Sequence, residues 1–306
     1  MKKSIFSILL LIAFLIPSNS EAINVTEIVI PFQFQDARPF SDGIAAVKRD
    51  GKWGYIDRLG QWVIQPEYAF SVGDYSSGLA YVGNQFLTTG GVPAFGDTKF
   101  ENARSFSPKG KDALAAVQVS GQWGFIDHKG EFVIPPKYDN AGDFKDSGDG
   151  MSLAPVKVGG VWGFVDKKGR ELIMPNFDYA WNFAGEFAAV MIEGSVGYIN
   201  KTGLYVINPQ FIHAGALHNG RAPVRVGDKT GYINDKGRMV IPAIYHNGGE
   251  FNDGLAPVAT DSRWGYINVN GNIVIPPLYD NARPFSEGLA AVEQDGLWGY
   301  INYKNY

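Results

Sequence analysis

Apolar residues along this chain come in short, regularly spaced runs, not in helical stripes. The last copy is the clearest: GLAAV (residues 288–292), four polar or turn-prone positions and Leu297, then WGYIN (298–302). Runs of four or five apolar residues bounded by turn formers predict buried strands. Asp295-Gly296 between the two runs predicts a hairpin, because a type I′ turn needs positive φ at both central residues. The same slot holds Asp50-Gly51, Ser120-Gly121, Gly159-Gly160, Glu193-Gly194, Gly227-Asp228 and Asp261-Ser262, with Glu193-Gly194 and Asp261-Ser262 suited to other turn types. After the second strand comes Asp or Asn and, three residues on, Gly: Asp57, Asp127, Asp166, Asn200, Asn234 and Asn268 lead to Gly60, Gly130, Gly169, Gly203, Gly237 and Gly271. That spacing fits a type I turn closed by a left-handed glycine. A third run, such as WVI (62–64) or IVI (273–275), ends at Pro66, Pro136, Pro175, Pro209, Pro242 or Pro276. Proline cannot donate to a ladder, so it predicts a strand end or an edge.

These runs repeat. The glycine of a Trp-Gly pair, or its equivalent, falls at 54, 124, 163, 197, 231, 265 and 299, at intervals of 70, 39, 34, 34, 34 and 34. The unit is 34 residues, and the interval of 70 hides a degenerate copy whose YSSGLAYV (75–82) matches FSEGLAAV (285–292). Each unit reads as a three-stranded antiparallel meander plus a connector such as YDNARPF (279–285). The strands are apolar at consecutive positions, so both faces of each small sheet must be covered. An open stack needs atypical polar caps, yet the two ends are the most regular copies. The last unit lacks its third strand, and EIVIPFQF (27–34) near the N-terminus matches the missing NIVIPPLY (272–279). The reading is an all-β repeat protein of eight units closed into a propeller-like toroid, with an open β-solenoid as the alternative. The units fall near 34–67, 68–99, 100–137, 138–176, 177–210, 211–244, 245–278 and 279–306, the last completed by 27–33.

Composition refines this picture. The 306 residues are 45% apolar and 14% aromatic, with 38 glycines, which suits many short strands and tight turns. A net charge of −4 gives no reason to expect nucleic acid. Without cysteine, neither a disulfide framework nor a thiolate metal site exists. Lys2 and Lys3 precede a mostly apolar stretch (4–16) and small residues ending at Ala22, the pattern of a cleaved export signal. Thirteen apolar residues fall short of the roughly 20 that span a bilayer. The expected products are a leader, 1–22, and a single exported domain, 23–306, periplasmic or secreted, with no membrane span.

Units of the form GLAAV…DGKWGYID…G…VI.P resemble the bacterial WG-containing repeat family, also described by the tripeptide KWG, here Lys52-Trp53-Gly54. The resemblance covers residues 27–306. Other copies read QWG, VWG, RWG and LWG, and two lack the Trp, with Val196-Gly197 and Thr230-Gly231. It implies an all-β repeat domain, often exported, that mediates binding. It carries no shared catalytic motif or ligand.

Candidate chemistry is sparse. Trp53-Gly54, Trp123-Gly124, Trp162-Gly163, Trp264-Gly265 and Trp298-Gly299 are read as structural: Trp fills the gap between neighbouring sheets, and Gly admits a close backbone. Stacking of sugars on those rings is the functional counterpart. The recurrent Asp/Asn positions are turn formers, since calcium loops need ligands at alternating positions. Asp143, Asp146 and Asp149 are spaced by three rather than two, and the histidines at 128, 213, 218 and 246 lack ligand spacing, so no metal and no cofactor is expected. Nucleophile and phosphate-loop signatures are absent, which points to a non-enzymatic protein. Departures from the repeat mark the binding candidates. Arg38, Arg104 and Arg283 share one connector slot. In a closed ring they gather toward one rim for carboxylates or phosphates, or else pair with Asp36, Glu101 or Asp280 just upstream. Trp181 replaces the usual small or basic residue of its connector, to meet a partner or to cover the insertion before it. The expected partner is a protein, or alternatively a cell-envelope glycan.

Overall fold

The computed structural model describes residues 24–106, 112–145 and 151–305. The expected leader, and Asp146 and Asp149 of the insertion, lie outside them. Among the described residues the strands form eight antiparallel sheets and there is no helix, hence none long and apolar enough to cross a membrane. The sheets are the blades of a β-propeller, numbered 1–8 from the one that begins at Asp36.

Blade 1 shows the plan. Ile44–Arg49 and Lys52–Asp57 form the predicted hairpin, and Trp62–Tyr68 is the third long strand. A short strand, Asp36–Ala37, pairs on the far side of Ile44–Arg49. The expected three-stranded unit is therefore four-stranded in six of the eight sheets. The extra strand is two connector residues long, too short to show alternation in sequence. The strand closed by Pro66 also does not stop there. Trp53 pairs with Tyr68 and Tyr55 with Ile64, so Gln65, Pro66 and Glu67 arch out as a bulge, where a missing N–H costs nothing. This strand is exposed at most of its outward positions and forms the periphery, with the two-residue strand at the axis.

The turns follow from local chemistry. Asp50 and Gly51 both have positive φ, 50° and 76°, as a type I′ turn requires. Glu193 and Gly194 match them at 50° and 74°, whereas at Gly227-Asp228 and Asp261-Ser262 only the first residue is left-handed. In the second turn the Asp57 carboxylate accepts the amides of Leu59 and Gln61. Asn200, Asn234 and Asn268 do the same with their amide oxygens.

Packing closes the ring. Eight hydrophobic clusters each join one sheet to the next. An open row of eight sheets has only seven boundaries. The eighth cluster joins Leu289, Trp298 and Tyr300 of blade 8 to Phe40, Val47 and Ile56 of blade 1. At the seam Asn24–Phe34 pairs with Leu297–Asn305, bringing Thr26 opposite Tyr303 and Phe34 opposite Trp298. Glu27 accepts from Asn302 and Lys304 across that seam, and these bonds hold its carboxyl below the usual range.

Blade 2 is the degenerate copy, reduced to Leu79–Val82 and Gln85–Thr88. Aromatic packing stands in for its missing strands. Phe86 meets the rings of Tyr81, Phe95, Phe100 and Phe106.

Candidate functional site

Each blade turns one face toward its successor, and cross-strand register fixes what lies there. In blade 1 one row is Asp36, Lys48, Trp53 and Tyr68; the next is Arg38, Ala46, Tyr55 and Ile64. Trp53, Trp123, Trp162 and Trp298 are buried at such boundaries and Trp264 is half-buried. The glycine after each Trp lies beneath the bulge of the outer strand. A Cβ on Gly54 would stand 2.7 Å from the Ile64 carbonyl oxygen and 2.8 Å from Pro66 N. The tyrosine of the second row reaches onward. Tyr55, Tyr198, Tyr232 and Tyr266 donate to carbonyls of Gly73, Gly215, Gly249 and Arg283 in the next blade, and Tyr300 donates to Arg38 across the seam.

The three arginines act as bridges between blades. Arg283 contacts Asp36 at 2.8 Å, and Arg38 contacts Asp74 at 3.4 Å and donates to Ser71. Arg104 donates to the Ala141 carbonyl and to Asn140. Each guanidinium also covers the Trp of its own blade, at 5.4 Å for Trp53, 5.3 Å for Trp123 and 4.8 Å for Trp298. Arg283 and Arg38 stand in adjacent blades, while Arg104 lies two blades further on. Their partners are therefore in the following blade, not just upstream in their own connector. Burial pushes the Asp74 carboxyl up against the pull of Arg38.

Trp181 occupies the arginine's place in blade 5, where the Trp-Gly tryptophan has become Val196. Its ring packs with Val196, Met191 and Phe211 against blade 6 and meets Tyr179 at 4.6 Å. An indole from the connector thus packs on the cluster that holds Val196.

Blade 6 has no such substitute. Thr230 stands in the tryptophan's place and Gly215 in the arginine's. The result is an open surface hollow of about 430 Å³ between blade 6 and the axial strand of blade 7. His213, Pro223, Arg225 and Thr230 line one side, Asn247 and Glu250 the other. Glu250 ties the two blades together: one carboxylate oxygen accepts the Ala216 amide at 2.7 Å, and the other lies 3.7 Å from His218 Nε2. A Cβ on Gly215 would meet Pro223 Cγ at 2.7 Å and Glu250 Oε1 at 3.2 Å, so Pro223 and Glu250 already stand against this position and only glycine fits beside them. Sequence reading noted the loss of Trp at Thr230 and missed the loss at Gly215. The signal was the same connector slot that singled out Arg38. Among the described residues no three of His, Asp or Glu come together as a metal site.

An eight-bladed ring sealed by its two chain ends defines the class as a β-propeller. The sequence profile of the WG containing repeat matches seven segments: 27–53, 53–84, 123–162, 162–195, 197–229, 231–263 and 264–298. The chain belongs to that family. No curated protein matches it. Among solved structures it is similar to a eukaryotic initiation factor, at 12% identity and a TM-score of 0.56, covering 90% of this chain and 89% of that one. It is also similar to the WD40 domain of SCAP from fission yeast, at 10% identity and a TM-score of 0.50, covering 92% and 98%. Both likenesses are of fold.

Proposed function

We propose that the protein is an exported, non-enzymatic binding or scaffold protein that holds another protein on its ring. The observation that carries this reading is the break in symmetry at blades 6 and 7. Every sheet face is packed against a neighbour, and the boundary after blade 6, a three-stranded sheet, lacks both the Trp and its covering side chain and leaves an open hollow. The acidic side chains of the turns support a scaffold over a catalyst, because Asp57, Asp127 and Asp166 are engaged with backbone amides. Cross-linked affinity capture from the envelope of the source cells, followed by titration with each purified candidate, tests it. One saturable protein partner is expected. Turnover in a broad hydrolase screen, or capture of nothing above a denatured control, would refute it.

A glycan-binding reading draws on a second cleft, of about 510 Å³, beside Trp62. There, however, Arg49 already covers the indole at 5.0 Å, and a sugar would have to displace it. The protein partner is therefore preferred.

A further inference from the structure

We propose that the cavity between blades 6 and 7 receives an aromatic side chain, tryptophan or tyrosine, from the partner polypeptide. This deepens the binding reading above and rests on it. The repeat itself shows what the place is shaped to hold. Blades 1, 3, 4, 7 and 8 fill it with the indole of their own Trp-Gly pair. Blade 5 has lost that indole and brings in another, Trp181, from the connector. Blade 6 carries Thr230 and Gly215 and supplies no ring from either position. A planar ring from outside restores the packing that its neighbours make internally.

The walls suit such a ring. Arg225 is the cross-strand partner of Thr230, and its exposed side chain lines the cavity. Guanidinium groups stack on aromatic faces, as Arg38, Arg104 and Arg283 do on the tryptophans of blades 1, 3 and 8. Pro223 offers an apolar wall on the same side. The Glu250 carboxylate accepts one backbone amide and has about four acceptor sites, leaving capacity for an indole N–H or a phenol O–H. That acceptor selects tryptophan and tyrosine over leucine or phenylalanine. The cavity falls within the range of roughly 300–1,000 Å³ typical of ligand pockets, with room for the peptide to continue past the ring.

Saturation-transfer NMR on the intact protein tests this with N-acetyl-tryptophanamide as probe, and N-acetyl-leucinamide and methyl β-glucoside as comparisons. The tryptophan probe is expected to give the strongest transfer, concentrated on the indole protons. Thr230→Trp places the repeat's own residue at this position and is expected to abolish that transfer, with a cooperative melt as the check that the variant is folded. Arg225→Ala, at an exposed position, provides a second variant and is expected to weaken binding roughly two- to fivefold. Unchanged transfer in both variants would overturn the proposal, as would equal binding of the leucine analogue. Preference for the glucoside would overturn it in favour of a glycan site. A captured protein that binds wild type and Thr230→Trp equally sinks the aromatic slot but leaves the protein-binding reading intact. Slot-dependent binding of the tryptophan probe, with no protein captured, does the reverse.

Discussion

Gly163 follows Trp162 in blade 4, and adding one methyl group there asks what the Trp-Gly pair is for. A Cβ at 163 would stand 2.5 Å from the Ile173 carbonyl oxygen, 2.7 Å from Pro175 N and 2.9 Å from Pro175 Cα. Non-bonded carbons pack at about 3.5–4.0 Å, so the methyl overlaps the outer strand's backbone by more than half an ångström. The strand is held on both sides of the contact, by pairing of Trp162 with Phe177 and of Phe164 with Ile173. Retreat would open the boundary that buries both aromatic rings. Overpacking of this kind costs about 1–3 kcal/mol. At about 2–4 °C per kcal/mol for a chain approaching this size, Gly163→Ala should melt several degrees lower. The control is Gly43→Ala, where φ is +73° and no atom lies near the added carbon. Left-handed strain alone costs about 1–2 kcal/mol there. Urea and thermal melts followed by tryptophan fluorescence compare the two variants. An unchanged melt for Gly163→Ala would refute the packing account and return the pair to a ligand-binding role.

Three further outcomes follow from particular contacts. Tyr266→Phe leaves the Arg283 carbonyl without the phenol that donates to it at 2.8 Å, and should cost about 1–2 kcal/mol in urea titrations. Burial raises the Asp166 carboxyl, but the Arg170 and Lys168 amides and the Arg170 guanidinium outweigh it and hold it below the ordinary 3.8. Its contribution is therefore complete above that value and lost as the pH falls through the lowered one. Asp166→Asn keeps the turn, as Asn200 does in blade 5, and should flatten the acid limb of the melting curve below the ordinary 3.8. Burial pushes the Tyr75 and Tyr279 phenols up to about 12. The unfolded chain then releases those protons first as the pH rises above 10, and the melting temperature should decline from there; a flat alkaline limb would contradict the buried phenols.

Much of the ring was legible because its determinants are local. Asp-Gly and Asn-x-x-Gly fix turns by backbone conformation alone, so the hairpins at 50–51 and 295–296 could be read without knowing what surrounds them. Closure was legible because EIVIPFQF completes the last unit by simple matching. The axial strand was not legible: Asp36–Ala37 is two residues long and its pairing depends on the connector folding back. The bulge at Pro66 was hidden for a related reason, since it appears only in the register of Trp53 with Tyr68. The site was half legible. Thr230 stood out as a missing tryptophan, but only cross-strand register shows that Gly215 faces the same space. The same register explains why Trp181 compensates for Val196, a relation between residues fifteen positions apart that no local pattern carries.

Closure of the ring by its two chain ends is the claim on which the rest depends, and a cross-link measures it directly. Thr26 and Tyr303 are register partners at the seam, and antiparallel partners lie about 4.5–5.5 Å apart at Cα, within reach of a disulfide. The chain has no cysteine, so Thr26→Cys with Tyr303→Cys introduces the only pair. The closed ring predicts an intramolecular disulfide under mild oxidation: a mass two daltons lower, no free thiol and no dimer on a non-reducing gel. Two free thiols, or only intermolecular dimers, would mean that the ends do not meet.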